Sequence, residues 1–237
     1  MKTLAIFGAG KGLGLSLAKR FGKEGFRVAL VARNAVKLQE MVEELTGLGI
    51  ESAYFTADIY SKDQIEAATA AIKAKFGQID VLEVSPVPGN FPPTSVLDLT
   101  IENARDSFEG YAASSINIVN SVLPEMLERK DGALLFTTGF SALHPMAMMG
   151  NIGVGIAGLR NYVANLNTEL QDKGIWVGHR SLALFVTEPG DGKVSDPEVI
   201  ADMWYNAYAT KDVWEQEYPK GITAEMLLSF HAQNNEQ

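Results

Sequence analysis

Short apolar runs separated by long amphipathic stretches leave this chain few folds to choose from. LAIF (4–7), RVALVA (27–32), SAYFTA (52–57), VLEV (81–84), ALLFTT (133–138) and IWVGHRSLALF (175–185) have the β-rich, apolar make-up of strands. Between them, 12–24, 34–46, 62–76, 100–128 and 152–172 carry apolar residues at helical spacing. Strands apolar throughout need cover on both faces, and strand–helix alternation joins neighbouring strands in parallel. The expected fold is therefore α/β: a single Rossmann-like, doubly wound parallel sheet over 1–237, flanked by helices on both faces. The loop 85–95 holds four prolines but is too short to divide domains, and the polar end 230–237 is expected to fray.

Charge and composition narrow the partners. With 29 acidic against 20 basic residues the formal charge is −9. That argues against nucleic acid or a membrane surface as a bulk partner, since both need a positive face. There is no cysteine, which excludes disulfides, thiolate catalysis and cysteine-ligated metals. The three histidines, His144, His179 and His231, are scattered and give no metal-ligand spacing. No run approaches the roughly 18 apolar residues of a membrane span. The expectation is a soluble, cytoplasmic protein with a small-molecule partner.

The first strand runs directly into FGAGKGLG (7–14) and then a helix. A helix N-terminus offers unpaired N–H groups and a partial positive charge, so a glycine turn leading into one is suited to phosphate. Gly8 allows the tight turn, Gly12 lets the backbone approach a pyrophosphate, and Gly14 lets the helix pack close to the strand. Gly10, Lys11 and Leu13 complete the loop. The second strand ends in Ala32 and continues Arg33-Asn34, with no carboxylate to hold ribose hydroxyls. Arg33 and Lys11 together favour a 2′-phosphate, and hence NADP(H) over NAD(H). Asp58, after the third strand, is expected near the adenine.

By these residues the chain resembles the short-chain dehydrogenase/reductase family, nearly end to end. The resemblance rests on G8-A-G-K-G-L-G14, D58-I59, D80-V-L82, L99-T100, L123-P-E-M126 and D196-P-E-V-I-A201. It implies cofactor contacts from Ile59, from Val84 and Ser85 in the turn after the fourth strand, and from Thr187. It also implies a homo-dimer or homo-tetramer built through the helices at 100–128 and 152–172, and hydride transfer as the chemistry.

The same resemblance implies a proton-donating set of asparagine, serine, tyrosine and lysine. Counting along the family's pattern leads to Tyr111, Gly139, Ile152 and Ile156, none of which is the family's residue. No tyrosine in the chain is followed by lysine at i+4. Isoleucine at 152 and 156 avoids the unpaired charge that a lone buried lysine would leave. Nearby groups able to move a proton are Ser141 and His144. Met146, Met148 and Met149 suit either an apolar ligand or ordinary core. Glycines 150, 153, 155 and 158 permit close helix approach, as at a subunit interface. His179-Arg180, unusual inside a strand, suggests contact with a ligand or partner chain. Three functions stay open: an atypical NADP(H)-dependent reductase of activated C=C, C=N or C=O bonds, a non-catalytic NADP(H)-binding sensor or partner subunit, and a scaffold.

Overall fold

The computed structural model describes residues 1–88, 90–211 and 213–227. The tail at 230–237, with His231, lies outside them. Seven strands form one parallel sheet in the order β3-β2-β1-β4-β5-β6-β7. They are β1 (Thr3–Phe7), β2 (Arg27–Ala32), β3 (Ser52–Thr56), β4 (Val81–Val84), β5 (Gly132–Gly139), β6 (Ile175–Leu182) and β7 (Glu215–Tyr218). The helices are α1 (Leu13–Lys23), α2 (Ala35–Gly47), α3 (Lys62–Phe76), α4 (Ile101–Ser107), α5 (Ser114–Arg129), α6 (Gly150–Leu170) and α7 (Pro197–Thr210). The strand order reverses between β1 and β4, and in open α/β sheets ligands bind at the carboxyl ends flanking such a switch.

Alternation of side chains along each strand builds two cores. Ala5, Phe7, Leu82, Val84 and Phe136 pack beneath α3, α5 and α6. Leu4, Ile6, Leu30 and Leu135 face the other way, against α1, α2 and α7. Both sides of the sheet are thus dry, as strands apolar throughout demand. Most of the helices start on a side chain that accepts a backbone N–H: Asn34 from Lys37, Ser61 from Gln64, Thr100 from Asn103 and Asp196 from Glu198. No helix among the described residues is long and apolar enough to cross a membrane.

Three departures from the sequence reading matter for the site. The expected strand 175–185 stops at Leu182. The expected helix 100–128 is interrupted by a π-helical segment, Phe108–Ala113, between α4 and α5. Just past it the Ser114 and Ser115 hydroxyls donate to the carbonyls of Gly110 and Tyr111 (2.5 and 2.6 Å), inside the helical ladder. The third departure is β7, an EQEY segment whose glutamates pair with groups from β6, α6 and the loop after β5.

Candidate functional site

At the switch point the glycine turn is shaped residue by residue. Gly8 has φ +96°, and a Cβ there would lie 2.7 Å from the backbone of Pro86. Its glycine therefore serves both the turn and the close approach of the β4 loop. The N–H groups of Gly8 and Ala9 donate to the Val31 carbonyl (3.0 and 3.1 Å), tying the turn to β2. A Cβ on Gly14 would sit 3.1 Å from the Ala9 backbone, so α1 rests directly on the turn. At Gly10 and Gly12, by contrast, a Cβ would meet nothing within 4 Å. Gly12 begins α1 with no side-chain cap and no acidic residue in the first turn. An uncapped, electropositive helix end facing open space fits a dinucleotide's pyrophosphate.

Beside it lies a cavity of about 300 Å³, lined among others by Gly8, Gly10, Arg33, Ile59, Tyr60 and Pro86. Arg33 is exposed at its edge and makes no salt bridge among the described residues. Lys11 does not line it: its Nζ lies 2.5 Å from Glu40 Oε2, and this bond raises the lysine pKa. Asn34 is occupied in capping α2, while Asp58 Oδ1 accepts the Tyr60 N–H (3.1 Å). Leu13 is half-buried at the head of α1, and Val84 is buried in the sheet. Thr187 stands apart on an exposed loop, its hydroxyl donating to Ser195 (3.4 Å). Tyr60 carried no signal in the sequence. It reaches toward Gly110, where a Cβ would meet its hydroxyl at 2.6 Å, and burial together with the Asp106 charge pushes its pKa up.

Ser85 leads to a group that sequence reasoning overlooked. The hydroxyls of Ser85 and Thr137 donate to Glu83 Oε2 and Oε1 (2.9 Å each), and Trp204 Nε1–H donates to Thr137 Oγ1 (3.0 Å). Glu83 is fully buried in the central strand, and that burial raises its pKa to about 7. Inside VLEV a single acid reads as a blemish in an apolar run, so nothing in the sequence announced this network.

The positions matching the family's proton-donating set fall in the π-helical segment, at the end of β5 and in α6. Tyr111 lies half-buried in the π-helical segment, with its pKa raised by burial. It packs against Gly155, where a Cβ would come within 2.9 Å of the ring. Gly139 ends β5 facing open space, Ile156 is buried in α6, and Ile152 is half-buried. Ser141 is buried in the turn after β5. His144 stacks on Phe140 (4.5 Å between centroids) and its ring pairs with Glu217. Met146 joins Phe140, Ala183 and Leu227 in a small core, whereas Met148 is half-exposed. Two of the α6 glycines sit against the chain's own backbone, Gly155 at the Ser107 carbonyl and Gly150 at Val96, whereas a Cβ on Gly153 would meet nothing within 4 Å.

The contact with a ligand or partner chain expected of His179-Arg180 is corrected by their surroundings. Both are buried and held by the chain itself. His179 Nε2 lies 2.8 Å from Thr138 Oγ1, and its Nδ1 lies 3.0 Å from Glu215 Oε1. Arg160 holds Glu215 with two further bonds, 2.8 and 2.6 Å. Burial alone would raise the Glu215 carboxyl, but the bonds from His179 and Arg160 bring it down to about 2. Arg180 donates to the carbonyls of His179 and Val213 and lies over the Trp204 ring (5.1 Å). A buried charge persists only when partnered, and these are the partners. Among the described residues no group of three His, Asp or Glu is placed to hold a metal ion.

Comparison with known proteins places this geometry. A short chain dehydrogenase family model matches residues 2–195. A short chain dehydrogenase of Pseudocercospora fijiensis is 24% identical over 180 residues, covering 73% of this chain and 56% of that protein. A putative ketoacyl reductase of Streptomyces coelicolor is 28% identical over 233 residues, 98% of this chain and 85% of its relative. An actinorhodin polyketide ketoreductase with NADPH shares the fold at a TM-score of 0.80 and 22% identity, covering 92% of this chain and 94% of that one. Matched along most of its length, this chain belongs to the short chain dehydrogenase family.

Proposed function

We propose that the protein is an NADP(H)-binding oxidoreductase that reduces an activated C=C, C=N or C=O bond without a Tyr–Lys acid. The observation that carries this reading is the open glycine cradle at Gly10 and Gly12 beside a cavity edged by Arg33, which makes no salt bridge among the described residues. A bound dinucleotide would supply hydride. The chain's own part is to hold the pyrophosphate at the α1 N-terminus, to meet a 2′-phosphate with Arg33, and to keep water from the reacting bond. The NADPH of the actinorhodin ketoreductase supports the phosphorylated cofactor by likeness. Self-association through α4–α5 and α6 belongs to the same proposal, with Phe108 and Val154 exposed on those helices.

The changes at Tyr111, Gly139, Ile152 and Ile156 favour a second reading, an NADP(H)-binding sensor or partner subunit without turnover. One titration separates the readings from a scaffold. Nicotinamide fluorescence should report NADPH binding tighter than NADH, with Arg33→Ala weakening NADPH about tenfold and NADH little. Equal affinities, or no binding of either, would remove the NADP(H) reading. NADPH oxidation with electron-poor alkenes, imines or ketones then tells reductase from sensor.

A further inference from the structure

Glu83 stands one strand away from the glycine turn. Where β1 pairs with β4 it lies beside Ile6, and Phe7 and Gly8 follow Ile6 directly. Strands ~4.8 Å apart with a rise of ~3.3 Å per residue put the Glu83 and Gly8 Cα atoms about 8 Å apart. The two are also joined through the loop after β4. The Ser85 hydroxyl donates to Glu83 Oε2 (2.9 Å), and the Ser85–Pro86 peptide is the backbone that Gly8 fits against. A Cβ on Gly8 would lie 2.7 Å from Pro86 N and 2.8 Å from the Ser85 carbonyl carbon. Gly8 and Pro86 both line the cavity. The groups bonded to the carboxyl are neutral: Ser85 from the loop and Thr137 from β5, with Trp204 of α7 behind Thr137. Arg180 of β6 lies over the Trp204 ring and donates to the carbonyls of His179 and Val213. Among the described residues no salt bridge reaches Glu83. At the cradle itself the charged groups are Lys11, paired with Glu40, and Arg33 at the cavity's edge. An anion at Glu83 is therefore shielded from water, has no counterion bonded to it, and repels a phosphate brought to the turn.

Resting on the NADP(H) reading above, we propose that Glu83 is a proton-linked control on the glycine cradle, which holds its anionic dinucleotide tightly while Glu83 is neutral and weakly once Glu83 ionises. The carboxyl touches no ligand. It acts through its charge and through the Ser85–Pro86 wall of the cavity. Burial raises the carboxyl to about 7, opposed by the Ser85 and Thr137 bonds, so the control operates across neutral pH. Affinity is then highest below that value and falls as pH rises through it. Linkage is reciprocal: a ligand that prefers the neutral form makes Glu83 harder to ionise, so binding at slightly alkaline pH takes up a proton.

The test is NADPH fluorescence titration at a series of pH values, on the wild-type protein and Glu83→Gln in the same buffers. The 2′-phosphate itself titrates near pH ~6, so the quantity read is the ratio of the two Kd values. That ratio should be close to one at pH 5.5, and at pH 8.5 the wild-type protein should bind about tenfold more weakly than Glu83→Gln, an ordinary size for coupling between sites. Calorimetry at pH 7.5 in buffers of different ionisation heat should show proton uptake by the wild-type protein beyond that of Glu83→Gln. Ser85→Ala supplies a second variant. Without its hydroxyl the ionised carboxyl loses a donor, so the fall in affinity should move to higher pH, which a merely structural Ser85 would not cause. Tight NADPH binding with a Kd ratio that does not change with pH overturns the control and leaves the NADP(H) reading standing. So does an affinity midpoint unmoved in Ser85→Ala. If the wild-type protein binds NADPH at no pH, the NADP(H) reading fails and the control fails with it.

Discussion

Glu83 shows how much one residue can decide. It sits in the central strand with no exposed surface, and burial lifts its pKa from 4.5 to about 7. Because the folded value is the higher, folding takes up a proton between pH 4.5 and 7. The stabilisation is complete below pH 4.5 and is lost as pH rises through about 7. The shift corresponds to about 3 kcal/mol as an order of magnitude. Glu83→Gln keeps an acceptor for the Thr137 hydroxyl and offers an N–H to Ser85 without a charge. Thermal melts should show the variant and the parent alike at pH 5, and the variant clearly more stable at pH 8.5. Arg33 stands at the other extreme. Its proposed use could be read from the sequence because a basic side chain at that strand end suits a 2′-phosphate. Lys11 looked equivalent in the sequence, but Glu40 lies a helix away, and only the packing of α2 beside the glycine loop brings the two charges together.

Among the elements, those with a strong apolar period were legible and those held by polar contacts were not. RVALVA gave β2 at both ends, and KDQIEAATAAIKAKF gave α3 from its first residue to its last. EQEY gave no hint of β7, since its glutamates read as solvated charges until His179, Arg160 and His144 are seen around them. The π-helical segment was equally hidden. Its cause is local back-bonding by Ser114 and Ser115 and the fit of Gly110 against Tyr60, which no hydrophobic pattern encodes. Helix α7 was visible only as a family motif, yet it closes one core. Trp204 is fully buried, packs under Arg180 and donates to Thr137. Trp204→Ala should destabilise the fold by about 3–5 kcal/mol, the range for truncating a large buried aromatic. Urea unfolding followed by far-UV circular dichroism measures it.

For the molecule as a whole, the doubly wound sheet was readable because most of its strands are predominantly apolar and alternate with amphipathic helices. What the sequence left open is how copies associate. Val154, 45% exposed on α6, lies on the helix proposed above for self-association. Val154→Asp places a charge there and should convert a dimer or tetramer to monomer in light scattering, with NADPH affinity retained. If the wild-type protein is already monomeric at high concentration, the assembly proposal fails. The packing of α7 across α1 carries a further consequence. Helix α1, which follows the glycine turn, emerges from the ribosome early, but the surface that covers it begins only at Pro197. During synthesis Leu17, Phe21 and their neighbours wait uncovered through five more strands, a sticky face suited to capture by chaperones. Nascent chains halted before α7 should therefore stay protease-sensitive at their N-terminal end, and become resistant together once α7 is complete.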